Sequence, residues 1–379
     1  MTTAAPAPVS APSSDVRTVA PSRLAVLDYL RLLASLAVVA HHWLFWGPVN
    51  GMTPGIGVTP LAPIAAYGYL GVQLFFLISG YVIFLSASGR DAGAFAAGRA
   101  SRLYPAFWAG VLITTVAALL TGQSRFPELL PQFLANLTMV PAAFGQQQLD
   151  GVYWTLTLEL EFYALVFLFL AFGRRRWLES FFPLWAIGML VTTLFLPAVA
   201  DIPLCGGLFS LFAGGALIAI VGRSGWSILR AVGLAASLVA AVVATIRRAG
   251  GPEAIGVPNA LLLAGLVVLF YGLVFALTTR RVAAVRLPGS RLAGGLTYPL
   301  YLCHAAFGYT LLNLIATPET AWASYAAVFV IVLAVALLVH LLVERAAAPV
   351  WRKLFAVVLA APVRAAAALA ARAANRQSR

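Results

Sequence analysis

The chain has 379 residues, of which 62% are hydrophobic and 10% are charged, and its mean hydropathy is +0.93. This composition excludes an ordinary soluble domain and predicts an all-α, polytopic integral membrane bundle. The formal net charge of +13 does not indicate nucleic-acid binding. The arginines cluster in short loops between apolar segments, where they favour topology and contact with anionic lipid headgroups.

About ten transmembrane helices are predicted from segment length and hydropathy. Their limits are 26–46, 65–87, 103–121, 153–172, 179–198, 204–221, 228–246, 258–279, 293–315 and 322–343. The apolar segment 127–142 is shorter and contains Pro127 and Pro131, so it is predicted to be interfacial or re-entrant, with a further span as the alternative.

The two ends of the chain differ in composition from the segment between them. Residues 1–22 are rich in Ala, Pro, Ser and Thr and are predicted to form a disordered cytoplasmic tail. Residues 23–350 are predicted to form the transmembrane domain, and residues 351–379 a basic amphipathic helix on the inner leaflet. A cytoplasmic N-terminus puts 21 of the 25 basic residues inside and three outside, with Arg31 in the first span. This asymmetry predicts a protein of the plasma (inner) membrane with both termini cytoplasmic.

The first predicted span carries two ionisable residues, Arg31 and His42. Eleven helical residues make three turns plus about 20°, so the two side chains share a face, about 16 Å apart along the axis, with Ser35 on the same stripe. Ionisable groups at membrane depth are costly and mark functional sites. Histidine exchanges a proton near neutral pH, and arginine is a fixed cation suited to phosphate.

Two further polar patches lie in the next two spans. Gln73 is a buried amide in the small-residue segment GVQLFFLISGYVIF, which equally fits helix packing. Arg99 and Arg102 open the third span on one helix face. Two guanidinium groups so placed suit a phosphorylated ligand, and they also suit ordinary positive-inside anchoring.

Polar side chains recur in the fourth and ninth spans. Glu159 and Tyr163 lie on one stripe of the fourth span, and Tyr301 and His304 share a face of the ninth. Structural pairing with a buried partner is the alternative to a functional role for each of them. Counted from the span ends, His42 and Glu159 both fall in outer halves, which predicts a centre made by these two residues above a cationic entrance.

The ordered motifs resemble those of the acyltransferase-3 family of integral-membrane O-acyltransferases over residues 24 to 350. In chain order, they are Asp28 and Arg31 with His42 after ten further residues; GVQLFFLISGYVI; Arg99, Arg102, Tyr104, Pro105 and Trp108; Trp154, Thr155, Leu156, Glu159, Phe162 and Tyr163; LTYPLYLCH, ending at His304; and Glu344. The chain departs from the family pattern at Gln73, where aspartate is common, and at Thr155, which replaces serine.

The resemblance implies a cytoplasmic acyl-CoA, usually acetyl-CoA, as co-substrate and a hydroxyl of an extracytoplasmic carbohydrate or small molecule as acceptor, with no metal. It implies that His42 acts as general base or acyl carrier and that Glu159 assists it. Under the same resemblance, Arg31, Arg99 and Arg102 bind CoA phosphates, and the channel is lined by Ser35, Gln73, Tyr163, Tyr301 and His304.

A proton-coupled transporter or flippase using Arg31, His42 and Glu159 as a relay is the main alternative. A non-catalytic membrane scaffold is a second alternative. The chain has no visible internal repeat, which argues against many secondary transporters. The sequence leaves four points open: the identity of the acceptor, the acyl chain length, whether transfer is direct or passes through an acyl-histidine intermediate, and the oligomeric state.

Overall fold

The computed structural model describes residues 24–122, 129–200, 202–249 and 259–377. The predicted tail 1–22 therefore lies outside the described residues. The described chain is all-α with no strand, which confirms the predicted fold class.

The helices of eight or more α-helical residues are α1 (Ala25–His41), α2 (Leu70–Ala87), α3 (Ala92–Leu120), α4 (Leu129–Asn136), α5 (Trp154–Ala171), α6 (Leu178–Phe195), α7 (Gly207–Ser224), α8 (Ile228–Ala249), α9 (Ala260–Ala276), α10 (Ser290–Cys303), α11 (Ala306–Ile315), α12 (Ala321–Leu338), α13 (Ala348–Phe355) and α14 (Ala361–Gln377). Shorter helical or π segments are His42–Trp46, Gly47–Val49, Ala62–Ala65, Ala66–Tyr69, Pro141–Phe144, Arg175–Trp177, Pro197–Ala200, Arg280–Ala283, Val339–Ala346 and Ala356–Ala360.

Nine stretches of helix within the described ranges are long and apolar enough to cross a membrane. They differ from the ten predicted spans in three places. The predicted span 258–279 is α9, which has 17 residues. The predicted span 293–315 is divided into α10 and α11 by a break at His304 and Ala305. The stretch Ala348–Ala373, predicted as a surface helix, also meets the length and composition of a span.

Small residues bring the central helices into backbone contact. A side chain on Gly80 of α2 would collide with the Phe212 carbonyl of α7, and one on Gly215 of α7 would collide with the Leu77 carbonyl of α2. At Gly71, α2 likewise lies against the Ala34 carbonyl of α1. Close approach of this kind is the usual basis of helix association in membranes. The glycine-rich segment of the second span therefore fixes the position of α2 between α1 and α7.

The connection between α3 and α5 folds back into the bundle. The indole of Trp108 and the hydroxyl of Tyr104, near the middle of the 29-residue α3, donate to the carbonyls of Leu137 (2.9 Å) and Thr138 (3.2 Å). Tyr153 is buried, and its hydroxyl donates to the Leu302 carbonyl of α10 at 3.3 Å. The described end of the segment 127–142 thus packs against the middle of α3, and α5 begins beside α10 inside the bundle.

The C-terminal helices pack along α3. The ring centroids of Trp351 and Trp108 are 6.0 Å apart, and those of Phe355 and Tyr104 are 6.1 Å apart. Further along, Arg364 forms an ion pair with Asp91 at 3.1 Å, just before α3 begins. The predicted boundary at residue 350 lies within α13.

Candidate active site

Two histidines from different helices meet at the end of α1. Nδ1 of His42 lies 3.1 Å from Nε2 of His304 and 2.9 Å from the Val38 carbonyl oxygen. Nδ1 of His304 lies 2.7 Å from the Tyr301 carbonyl oxygen. Because a carbonyl only accepts, we assign the proton to Nδ1 in both neutral rings. The single Nδ1–H of His42 is then shared between the Val38 carbonyl oxygen and Nε2 of His304. This network leaves Nε2 of His42 unprotonated and able to accept a proton.

Two irregular backbone segments hold the histidine pair. The α-helical turn of α1 gives way to the π turn His42–Trp46, and the opposing helix breaks between α10 and α11. Trp43 donates its indole N–H to the His304 carbonyl at 2.7 Å. Tyr309 donates its hydroxyl to the His42 carbonyl at 3.1 Å. The carbonyl of each histidine is therefore bonded by a side chain of the opposing segment, and π turns of this kind are frequent at functional sites.

Asp150 fixes the break beside His304. Its carboxylate is 1% exposed, and it accepts hydrogen bonds from the Val152 N–H (3.0 Å) and the Ala306 N–H (2.8 Å). Ala306 is the first residue of α11, where a helix N-terminus favours a negative charge. Burial raises the pKa of Asp150 to about 6, while the two backbone hydrogen bonds act in the opposite direction.

A cavity of about 660 Å³ opens beside His42, and we name it the histidine cavity. Its aromatic walls come from Phe45, Trp46, Tyr69, Trp154, Tyr301 and Tyr309, and its polar walls include His41, Gln73, Asp150, Arg248 and Asn313. The Arg248 guanidinium lies 4.8 Å from the ring centroid of Trp154. The Tyr69 hydroxyl is buried without a hydrogen-bond partner among the described residues. The cavity thus combines ring faces with unused polar groups.

A second, narrower cavity of about 90 Å³ is lined by three arginine side chains, and we name it the arginine cavity. Its lining includes Arg31, Arg99 and Arg102 together with Glu159 and Tyr163. The Nε atoms of Arg31 and Arg99 are buried and have no hydrogen-bond partner in the described part of the chain. Buried donors of this kind are rare unless a ligand or water satisfies them.

The carboxylates around the arginine cavity are already engaged. Glu159 accepts hydrogen bonds from the hydroxyls of Ser79 (2.9 Å) and Tyr163 (2.5 Å). Glu344 pairs with Arg102 at 3.3 Å through one oxygen and with His340 at 2.8 Å through the other. The Nε atoms of Arg31 and Arg99 are the donors that have no partner among the described residues, and they are available to an anion.

The two cavities share a wall. Val72 of α2 and Tyr301 of α10 line both of them. The Tyr301 hydroxyl lies 2.7 Å from the Thr155 hydroxyl and 3.1 Å from the Val152 carbonyl oxygen. A group held by the arginines is therefore separated from His42 by two side chains.

Comparison with known proteins identifies the family. Residues 24–341 match the model of acyltransferase-3, described as an acyltransferase domain. The chain belongs to this acyltransferase family. The chain is similar to Nodulation protein 10 of Rhizobium leguminosarum bv. viciae, with 31% identity over 172 residues. This match covers 39% of the chain and 44% of that relative, so it spans less than half the length of either protein. No solved structure matches the chain.

The residues predicted to line the channel occupy different places in the structure. Gln73 lines the histidine cavity and accepts a hydrogen bond from the Thr245 hydroxyl at 2.9 Å. Tyr163 lines the arginine cavity, and Tyr301 lines both cavities. His304 lies behind His42, outside either lining. Ser35 also lies outside both linings, because it donates to the Thr297 carbonyl at 3.3 Å and joins α1 to α10.

The predicted pairing of His42 with Glu159 is not what the structure shows. Glu159 lines the arginine cavity, and the residue in contact with His42 is His304. The physical reason is that α5 begins inside the bundle, which places Glu159 beyond the shared wall. The three predicted arginines, in contrast, do come together.

Sequence reasoning missed Trp43, Asp150 and Tyr309 as parts of the site, and it left Tyr69 without a role. One feature of the sequence could have identified Asp150 as part of the site, since it is an isolated acidic residue among amides and apolar residues in GQQQLDGVYW. Trp43 and Tyr309 resembled the aromatic residues common in any membrane helix. Their bonds to backbone carbonyls depend on irregular segments that periodicity does not reveal.

The burial of Asp150 predicts a pH-dependent contribution to stability. Its pKa is raised to about 6 from 3.8, so the folded protein binds this proton more tightly than the unfolded chain. Relative to an Asp150→Asn variant, the wild type should therefore gain about 1 kcal/mol on acidification from about pH 7 to 5. Thermal melts of both proteins in detergent measure the difference, expected to move by roughly 2 °C in favour of the wild type. A difference that stays constant across this range would contradict a buried, ionisable Asp150.

Proposed function

We propose that the protein is a plasma-membrane O-acyltransferase that moves an acyl group, most simply acetyl, from cytoplasmic acyl-CoA to a hydroxyl of an extracytoplasmic carbohydrate or small molecule. The observation that carries this proposal is the adjacency of the two cavities. One offers unpaired guanidinium groups, and the other offers an unprotonated histidine nitrogen. The cytoplasmic position of the arginine cavity rests on the arginine asymmetry of the sequence.

The arginine cavity fits a phosphorylated co-substrate. Arg31 and Arg99 have buried Nε atoms without partners, and Arg102 shares its carboxylate partner with His340. Guanidinium groups bind phosphate through paired, charge-assisted hydrogen bonds. CoA carries a diphosphate and a 3′-phosphate and therefore supplies the anions that three clustered cations require.

The histidine pair fits general-base catalysis. Nε2 of His42 takes the proton of the acceptor hydroxyl while the hydroxyl oxygen forms a bond to the thioester carbonyl carbon. The carbon–sulfur bond then breaks, and the departing sulfur takes that proton from His42, which yields the ester and free CoA thiol. Nε2 of His304 accepts the Nδ1–H of His42 throughout, which orients the ring and stabilises the transient imidazolium.

The histidine cavity fits a carbohydrate-like acceptor. Its ring faces, among them Trp46, Trp154 and Tyr309, offer apolar platforms, and Asn313 and Asp150 offer hydrogen-bonding groups. Ligand sites commonly combine apolar walls with a few placed polar groups in this way. The volume of about 660 Å³ is within the range of small-molecule sites.

The buried, unpaired hydroxyl of Tyr69 predicts a donor to the acceptor or to the thioester oxygen. Tyr69→Phe should lower the rate of CoA release by about tenfold or more, the cost of one hydrogen bond in the site. Steady-state kcat and KM for acetyl-CoA would be measured beside Tyr67→Phe. The Tyr67→Phe variant loses only a hydrogen bond from the Asn259 N–H, outside the cavity, and should keep the wild-type rate within about twofold. Equal losses in both variants would remove Tyr69 from the reaction.

The proposed function is tested with purified protein in detergent. Acetyl-CoA labelled in its acetyl group would be supplied with a membrane extract of the host as the source of acceptor. Saturable binding of CoA, release of its thiol and transfer of label into the extract are expected. A folded protein that binds no CoA would overturn the proposal.

A further inference from the structure

The histidine cavity is lined by a cation that the proposed chemistry does not use. Arg248, the second-last residue of α8, is exposed and lines this cavity, and its guanidinium carbon lies 4.8 Å from the ring centroid of Trp154. No carboxylate of the described residues forms an ion pair with it. The cavity therefore presents a positive charge that the described part of the chain does not neutralise.

The surroundings of Arg248 suit the binding of an anion. An arginine placed over an aromatic face keeps the in-plane N–H groups of its guanidinium free for a carboxylate or a phosphate. Trp154 is itself packed edge to face on Phe76, with 6.5 Å between the ring centroids. Arg248 also interacts electrostatically with Tyr69, whose buried hydroxyl lacks a hydrogen-bond partner in the described chain. A guanidinium and a hydroxyl that are both able to donate therefore lie near each other.

The acidic residue that lines the cavity is already bonded to the backbone. Asp150 is 1% exposed, and its two carboxylate oxygens accept one hydrogen bond each, from the N–H groups of Val152 and Ala306. The exposed guanidinium of Arg248 has no such partner among the described residues. The lining of the cavity therefore favours an anionic ligand over a neutral or cationic one.

The position of Arg248 departs from the charge pattern of the chain. The predicted topology places 21 basic residues inside and three outside, and Arg248 is one of the three. A basic residue on the outer side does not contribute to positive-inside anchoring, so its place at a cavity needs another reason. Its neighbour Arg247 has a structural one, since it donates to the Thr193 carbonyl of α6 and does not line the cavity.

We propose that Arg248 binds an anionic group of the acceptor, a carboxylate or a phosphate, so that the acceptor is an acidic carbohydrate or an acidic small molecule. This inference rests on the proposed acyltransferase function and names the substrate class of that same site. Arg248 takes no part in the bond changes. Its guanidinium donates to the anion and so holds the acceptor in the cavity that His42 also lines.

Removal of anionic groups from the acceptor tests this assignment. Envelope extract from host cells that lack the gene would be used in three forms: untreated, after chemical reduction of carboxylates to alcohols, and after aqueous hydrofluoric acid, which removes phosphate. Transfer of labelled acetyl to the extract by wild type should fall by about tenfold or more after one of the two treatments, the usual loss for a charge-assisted hydrogen bond. The treatment that lowers transfer identifies the anion as carboxylate or phosphate.

Two variants connect this loss to the cavity. Arg248→Gln should transfer about tenfold less label than wild type to the untreated extract, with an unchanged KM for acetyl-CoA, and should lose nothing more after either treatment. Arg247→Gln is the matched control, because it removes the same charge from the same helix outside the cavity. It should match wild type on all three extracts.

Three results would overturn the inference: transfer by wild type that neither treatment lowers, an Arg248→Gln variant that keeps the wild-type rate and sensitivity, or an equal loss in Arg247→Gln. A folded wild type that binds no CoA, or that labels nothing in the untreated extract, would instead overturn the proposed function, and this inference with it.

Discussion

Replacement of His42 by alanine is expected to lower acyl transfer by about three orders of magnitude while leaving CoA binding within about twofold of wild type. Both His41 and His42 line the larger cavity, and His42 is the one whose Nδ1 also contacts a second histidine, His304. The three cations of the arginine cavity lie on the other side of the shared wall, so their affinity for CoA should persist. The measurement is the release of CoA thiol from acetyl-CoA, together with equilibrium CoA binding by the same preparation.

Two further variants accompany this measurement, one as a control and one as a test of the histidine pair. Ser35→Ala changes a buried polar residue on the same stripe of α1 that lies outside both cavities, and it should keep the wild-type rate. His304→Leu removes the acceptor for the His42 Nδ1–H and should lower the rate less than His42→Ala does, with a shifted pH profile. Near-normal transfer by His42→Ala would exclude this histidine from the chemistry.

The second large effect is expected on CoA affinity. Arg31→Gln should weaken CoA binding by about tenfold to a hundredfold, because hydrogen bonds between ions contribute about 1.5–3 kcal/mol each. Combining it with Arg99→Gln should multiply the loss, since both Nε atoms are buried without protein partners. Equilibrium binding by titration calorimetry measures both effects and separates them from turnover.

Arg174→Gln is the matched control for charge. Arg174 packs on the Trp177 ring at 4.5 Å and lies outside both cavities, so its loss removes one positive charge without touching the proposed site. Its CoA affinity should match wild type at about 0.15 M salt, where distant exposed charges are screened. An equal loss in Arg174→Gln and Arg31→Gln would mean that net charge, and not a site, attracts CoA.

The sequence predicted which residues belong to the site better than it predicted which of them contact one another. The helical stripe from Arg31 to His42 holds because the chain stays α-helical up to His41, and the π turn begins only at His42. Arg99 and Arg102 join Arg31 because all three lie near the same end of neighbouring helices. Regular helix geometry was sufficient for these predictions.

Helical periodicity could not identify the residue that contacts His42. Counting from span ends assumed that the fourth span starts at the membrane surface, yet Tyr153 is buried against α10. Glu159 comes six residues after Tyr153, about 9 Å further along α5, and it lines the arginine cavity. The break that exposes the His304 carbonyl to Trp43 depends on Asp150, a residue of a distant loop. Such long-range contacts have no local signature in an apolar sequence.

The unit that folds together extends past residue 341, where the match to the family model ends. Glu344, which pairs with Arg102, comes three residues later. Beyond it, Trp351 and Phe355 cover the aromatic face of α3 at Trp108. A chain shortened to the family match would therefore lose the carboxylate that pairs with Arg102 and would uncover an apolar surface on the helix that carries Arg99 and Arg102.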